Sequence, residues 1–142
     1  RMIADFMRHI LSMLILGYTA SAADLLTEFA RVESGGNPRA IGDRGRSLGA
    51  LQMQRGAWID ATRRLGVRWP HSDAHDPVKC RIVAANHLVW LQGQFRAATG
   101  RNPTAADNYA LWNLGLEGYR RRGFRLDFAP RATRRAARKI QP

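Results

Sequence analysis

The sequence predicts a mainly α-helical domain, broken once by a glycine-rich loop or short hairpin. Apolar residues recur at helical spacing through most of the chain, and no segment alternates convincingly between apolar and polar residues as a half-buried strand would. Hydrophobic residues make up 45% of the 142 residues, enough for one globular domain with its own core. No internal repeat stands out, and the only biased stretch is the arginine-rich C-terminus.

The elements follow in order. Ala22–Glu33 carries Leu25, Leu26, Phe29 and Val32 on one helical face. Gly35 and Gly36 suit the left-handed end of such a helix, and Asn37-Pro38 prevents its continuation. Residues 37–47, with Gly42 and Gly45, read as the loop or hairpin. Helical spacing resumes at Leu48 and runs through Leu51, Trp58, Ile59 and Leu65 to Gly66, weakened by Gly56. Residues 66–77 form a loop with Pro70 and Pro77. Pro77 opens the clearest helix, in which Cys80, Ala84, Leu88, Leu91 and Phe95 share a face until Gly100. Thr104 and Asp107 form a capping-box start for the next helix, which bears Tyr109, Trp112 and Asn113 before Gly115. Ala129–Gln141 suits a short basic helix.

Three segments differ in composition. In residues 1–22, Arg1, Arg8 and His9 flank an apolar run, Ile10–Gly17, and Ala20 and Ala22 follow in an A-x-A arrangement. This pattern predicts a signal peptide removed before Ala23, and an exported protein in the periplasm or outside the cell. If it is retained, the segment anchors the chain to a membrane, although the run is short for a bilayer span. Residues 23–119 hold the helical domain. Residues 120–142 are a basic tail, holding nine of the 23 basic residues. Only a thin stripe of alanines, 129, 132, 136 and 137, offers apolar surface there, so a largely solvated helix is expected.

The formal net charge of +12 implies an anionic partner: nucleic acid, anionic lipid or an acidic wall polymer. Cys80 is the only cysteine, which excludes a disulfide-stapled scaffold. His71, His75, Cys80 and His87 fall near one another, but their spacing matches no standard zinc pattern. A polar loop leading into a helix is the better reading, and neither metal nor cofactor is expected.

Two carboxylates carry the chemical signal. Glu33 sits in the last turn of its helix, at the negative end of the helix dipole and beside Phe29 and Val32. Dipole and desolvation both favour a protonated acid, the form that can deliver a proton to a glycosidic oxygen. Asp43 lies ten residues on, among glycines and beside Arg44 and Arg46, in a contrasting environment. Two carboxyls in unlike surroundings suit glycoside cleavage. On spacing alone, a solvated helix-end glutamate and a turn aspartate are the better reading.

The surrounding residues add a resemblance. "ESGGNPRA", the glycines that follow and "LGALQ" resemble the lysozyme-like superfamily, particularly the catalytic domains of soluble lytic transglycosylases and of goose-type and invertebrate-type lysozymes. "YALWNLGLEGY" is similar to the family's aromatic-Asn-x-Gly motif. The loop runs one residue longer than the usual transglycosylase pattern, Trp112 stands where tyrosine is usual, and Leu114 and Leu116 depart from the residues expected after the asparagine. The resemblance covers Ala23–Tyr119. It implies a lysozyme-like helical fold and cleavage of the β-1,4 bond between N-acetylmuramic acid and N-acetylglucosamine in peptidoglycan. Glu33 would be the catalytic acid, with Ser34 beside it at the helix end. Gln52 would line the sugar groove with Ser47, Trp112 and Asn113, the last binding an acetamido group or positioning a reacting one. Asp43 decides the outcome: a lytic transglycosylase manages with the glutamate alone, whereas an invertebrate-type lysozyme adds an aspartate near this position. The glycan strand is the expected partner, with anionic wall polymers or a membrane surface on the basic tail and no nucleic acid. The rival classes are a non-catalytic wall-binding module of the same fold and a basic nucleic-acid or membrane-binding protein.

Overall fold

The computed structural model describes residues 20–140. Most of the predicted signal segment, up to residue 19, lies outside the described residues. The fold is mainly helical, as expected. Its α-helices are α1 (Ala20–Ser34), α2 (Arg55–Leu65), α3 (Pro77–Thr99), α4 (Ala105–Arg120) and α5 (Arg131–Ala137). A small antiparallel sheet of β1 (Ile41–Gly42), β2 (Ser47–Leu48) and β3 (Met53–Gln54) lies between α1 and α2. Its register pairs Gly42 with Ser47 and Leu48 with Met53.

Helix α1 ends where its glycines predict. Gly35 and Gly36 take φ of 64° and 79°, and their N–H groups donate back to the Arg31 and Ala30 carbonyls, each at 3.0 Å. Both close the orphan carbonyls of the last turn, leaving Glu33 inside it. The helix begins at Ala20 and runs through the expected Ala22–Ala23 boundary, with Ala22 buried.

The expectation of a helix resuming at Leu48 needs correcting, because α2 starts only at Arg55. Gly49 and Gln52 both have left-handed backbones, with φ of 80° and 49°, and the chain turns through a 3.0 Å bond from the Gln52 N–H to the Gly49 carbonyl. Leu51 and Met53 still reach the core, but from a turn and a strand. Gly49 has a second reason to be glycine: a Cβ there would lie 2.1 Å from the Ala74 carbonyl oxygen. The loop before Pro77 also contains a 3-10 turn, His71–His75.

Helix α3 is the central element, packed against α1, α2 and α4. Asp76 caps it, its side chain accepting from the Val78 and Lys79 N–H groups at 2.9 Å, and Gly100 closes it at φ 73°. Around it, Leu26, Phe29, Trp58, Val83 and Leu88 form one apolar cluster, all with 1% exposure or less. Leu91, Phe95, Leu111 and Tyr119 form another, and Trp112 and Leu126 pack against both. Each such side chain contributes about 1.5–3 kcal/mol relative to exposure.

The C-terminal segment is docked more firmly than its composition suggests. Ala132 is exposed, but Ala129, Thr133, Ala137 and Ile140 are buried, and Ala137 and Ile140 join the main cluster. The arginines occupy the opposite face, where Arg131, Arg135 and Arg138 are exposed. Among the described residues, no helix is long and apolar enough to cross a membrane.

Candidate active site

A cleft of about 260 Å³ opens between the end of α1, the sheet and α4. Glu33, Asp43, Ser47, Gln52, Trp112 and Asn113 all line it, with Met53, Gln54, His87 and Gly115. Six of the seven residues singled out from sequence therefore meet in one place. Ser34 is the exception. Its hydroxyl donates to the Ala50 carbonyl at 2.6 Å and accepts from the Asn37 N–H at 3.1 Å, tying the end of α1 to the following loops.

Glu33 projects from the last turn of α1, and burial holds its carboxyl above the ordinary glutamate value. Hydrogen bonds from Tyr109 and Asn113 pull the other way, and the Asp43 charge adds to the rise. The Tyr109 hydroxyl donates to Glu33 Oε1 at 3.0 Å. Burial and the Glu33 charge hold the Tyr109 phenol above its own ordinary value, so it stays a donor. In the sequence Tyr109 reads only as an aromatic of this helix, with no role in the site. The available signal was its spacing of four from Asn113, which puts both on one face of α4.

Asp43 faces the same cleft from a tight turn, in which Asp43, Arg44 and Gly45 have consecutive positive φ values of 50°, 57° and 87°. Non-glycine residues adopt this region at a cost of about 1–3 kcal/mol each, a form of strain concentrated at functional sites. Ser47, buried on β2, donates to Asp43 Oδ2 at 2.6 Å and fixes its carboxylate. Gln52 donates from Nε2 to the Gly49 carbonyl at 3.0 Å. Its Oε1 occupies the space beside Gly42, where a Cβ would come within 2.1 Å. Gly42 is thus the residue that admits Gln52 into the cleft wall.

Trp112 donates from Nε1 to the Leu51 carbonyl at 3.2 Å and packs on Phe29 and His87, with ring centroids 5.6 and 5.5 Å away. It lines the cleft and also joins the core. The backbone of α4 breaks at Gly115, φ 73°, immediately after this stretch.

The residues weighed as metal ligands are dispersed in role. His71 Nε2–H donates to the Met53 carbonyl at 2.8 Å, and His75 Nδ1–H to the Pro38 carbonyl at 2.9 Å. Cys80 is buried in the core, where burial pushes its thiol up. His87 lines the cleft, stacked on Trp90, and burial and neighbouring Arg64 bring it down to about 4, so it is neutral near pH 7. Among the described residues, no three histidine, cysteine or acidic side chains group as a metal site.

The cleft therefore combines one partly buried carboxyl held above its ordinary value, a tyrosine hydroxyl donating to it, a second carboxylate held on a strained turn, and amide and aromatic groups on its walls. No curated protein and no solved structure matches the chain. A family model, the transglycosylase SLT domain, matches residues 18–119, well over half the chain and all of this cleft, and the chain belongs to that family.

Proposed function

We propose that the chain is an exported, cofactor-free enzyme that cleaves the β-1,4 bond between N-acetylmuramic acid and N-acetylglucosamine in peptidoglycan strands, by lytic transglycosylation. The observation that carries this reading is the Glu33 carboxyl, held above its ordinary value inside a polar cleft. Membership of the transglycosylase SLT domain family supports the substrate and reaction class.

In this mechanism Glu33 begins protonated and gives its proton to the bridging oxygen as the glycosidic bond breaks. The electron pair of that bond leaves with the oxygen, and positive charge develops on the sugar ring. The glutamate, now ionised, accepts bonds from Tyr109 and Asn113, both of which favour the charged form. It then takes the proton of the sugar's own hydroxyl as that oxygen bonds to the ring carbon, leaving an anhydro end and a reset acid. Gln52, Trp112 and Asn113 supply the amide and apolar surfaces that suit N-acetyl groups and sugar faces.

Hydrolysis is the second reading, favoured by one feature: Asp43 lines the same cleft, fixed by Ser47. There it would assist a water instead of the sugar's hydroxyl. The exposed arginines of α5 suit anionic wall polymers, raising local concentration on an insoluble substrate in a salt-sensitive way. Mass spectrometry of digests of purified peptidoglycan tests the proposal. Anhydro ends are the expected products; reducing ends would move the protein to lysozyme chemistry, and intact strands would remove the enzymatic reading.

A further inference from the structure

Helices α2, α3 and α4 meet at His87, whose ring lines the cleft. Trp90, one turn along α3, stacks on it with centroids 5.9 Å apart and planes 18° apart. Trp112 of α4 meets it at 5.5 Å and 60°. Arg64, in the last turn of α2, brings Nη2 to 3.4 Å from His87 Nδ1. The same arginine donates from Nε to Asn86 Oδ1 at 2.9 Å and lies over the Trp90 ring, 4.7 Å from its centroid. An amide and an indole thus pin the guanidinium, and the fold sets its approach to the imidazole.

This contact places a proton. A guanidinium carries only donors and stays protonated, so the Nδ1 that faces it is the bare, accepting nitrogen. The ring proton then sits on Nε2, in a neutral imidazole. A second proton on Nδ1 would set donor against donor beside a fixed cation, in keeping with the neutrality of His87 near pH 7. Nε2 makes no hydrogen bond with the described residues, among which no buried side-chain nitrogen or oxygen lacks a partner. Nε2–H therefore reaches solvent. Arg64 takes the Nδ1 side and is not on the cleft wall, so the free side of the ring is the one that lines the cleft.

A fixed donor that cannot accept suits an oxygen that only accepts. A carbonyl oxygen meets that demand, whereas a sugar hydroxyl also brings a proton that needs an acceptor of its own. Trp112 adds apolar indole surface on the same wall, which suits a methyl group. Carbonyl and methyl together make an acetamido group. We infer that His87 is a substrate-binding residue whose Nε2–H donates to an acetamido carbonyl of the glycan, and that Arg64 is the positioning residue that fixes its tautomer. The ligand named here rests on the proposed glycosidase reading, whereas the tautomer stands apart from it.

The tautomer is read from the imidazole ¹⁵N shifts of the full chain near pH 7, since protonated and bare ring nitrogens resonate far apart. Nε2 should be protonated and Nδ1 bare. Arg64→Met keeps an apolar stem over Trp90 but removes the donor, and a population protonated at Nδ1 should appear. A wild-type ring protonated at Nδ1, or an unchanged tautomer in the folded Arg64→Met chain, would overturn the role of Arg64. The ligand is tested with the trisaccharide of β-1,4-linked N-acetylglucosamine, whose carbonyls all belong to acetamido groups. By calorimetry, His87→Phe, which keeps a ring but no donor, should weaken binding about tenfold, equivalent to about 1.4 kcal/mol. His87→Gln returns an amide N–H near the Nε2 position and should bind within about threefold of wild type. In the wild-type complex an acetyl methyl should give a nuclear Overhauser contact to the His87 ring. Circular dichroism checks each fold, and the wild-type tautomer and complex decide the matter should a variant not fold. Undiminished binding by folded His87→Phe, or a folded His87→Gln chain that binds no better, would overturn the assignment of His87. So would a wild type that binds no trisaccharide, or binds it with no methyl near the ring. A wild type that binds it through His87 yet leaves peptidoglycan intact would remove the glycosidase reading alone.

Discussion

Glu33 and Asp107 are both carboxyls withdrawn from water, yet their proton affinities move in opposite directions. Burial is the largest influence on each and raises both. Asp107 is outweighed by its donors. Arg101 Nη1 reaches it at 2.7 Å, the Tyr119 hydroxyl at 2.5 Å, and the Thr104 N–H and hydroxyl at 2.9 and 3.0 Å. Together they hold it below the ordinary aspartate value. Glu33 has neutral donors, no cationic partner among the described residues, and a like charge in Asp43, so burial prevails. The comparison teaches that a buried carboxyl is not in itself a catalytic acid. Asp107 is saturated and closes the N-terminal capping box of α4, whereas Glu33 is left short of partners on the wall of an open cleft.

The two therefore couple to pH with opposite signs. Asp107, depressed in the fold, contributes stability above its unfolded value near 3.8, and that contribution is lost as pH falls through its folded value. Glu33, raised in the fold, contributes fully below 4.5, and its contribution is lost as pH rises through its folded value.

Substitutions should separate the pair cleanly. Glu33→Gln, which keeps the shape but cannot donate the proton, should cut turnover by a factor of about 10²–10⁴ while the thermal transition persists. Undiminished turnover in the folded variant would end the assignment. Asp107→Ala should instead lower stability by roughly 2–4 kcal/mol, read from denaturant unfolding, because it orphans the buried Tyr119 hydroxyl and removes the cap. A folded Asp107→Ala chain should retain most of its specific activity. Asp43→Asn comes next: under lytic transglycosylation it changes the rate by less than about fivefold, against a loss near that of Glu33→Gln if a second carboxylate is required. The smallest effect belongs to Tyr109→Phe. Losing its 3.0 Å bond should move the Glu33 midpoint upward by under about one unit, and the alkaline limb of the rate profile with it.

Much of this arrangement was legible because local chemistry carried it. The Gly35-Gly36 stop, the Thr104–Asp107 box and the long apolar face of α3 each depend on residues close in sequence. The turn before α2 was not legible, since Leu48 and Leu51 keep a helical spacing while Gly49 and Gln52 take left-handed backbones. In the site, Glu33 and Asn113 stood out as polar groups in apolar or motif-bearing surroundings. Tyr109 looked like one more core aromatic, and only the 3.0 Å contact across 76 residues reveals its hydroxyl at work. The C-terminal segment was hidden by composition: nine basic residues mask the buried Thr133 and Ala137 of a short helix and Ile140 just beyond it.

The most direct measurement is the pH dependence of kcat/KM on peptidoglycan, set beside the titration of Glu33 in the free protein, since kcat/KM reports ionisations of the free enzyme. The expected result is an alkaline limb that coincides with the Glu33 midpoint, both above 4.5. A Glu33 carboxyl that titrates at or below 4.5, or a limb that ignores its titration, would contradict it.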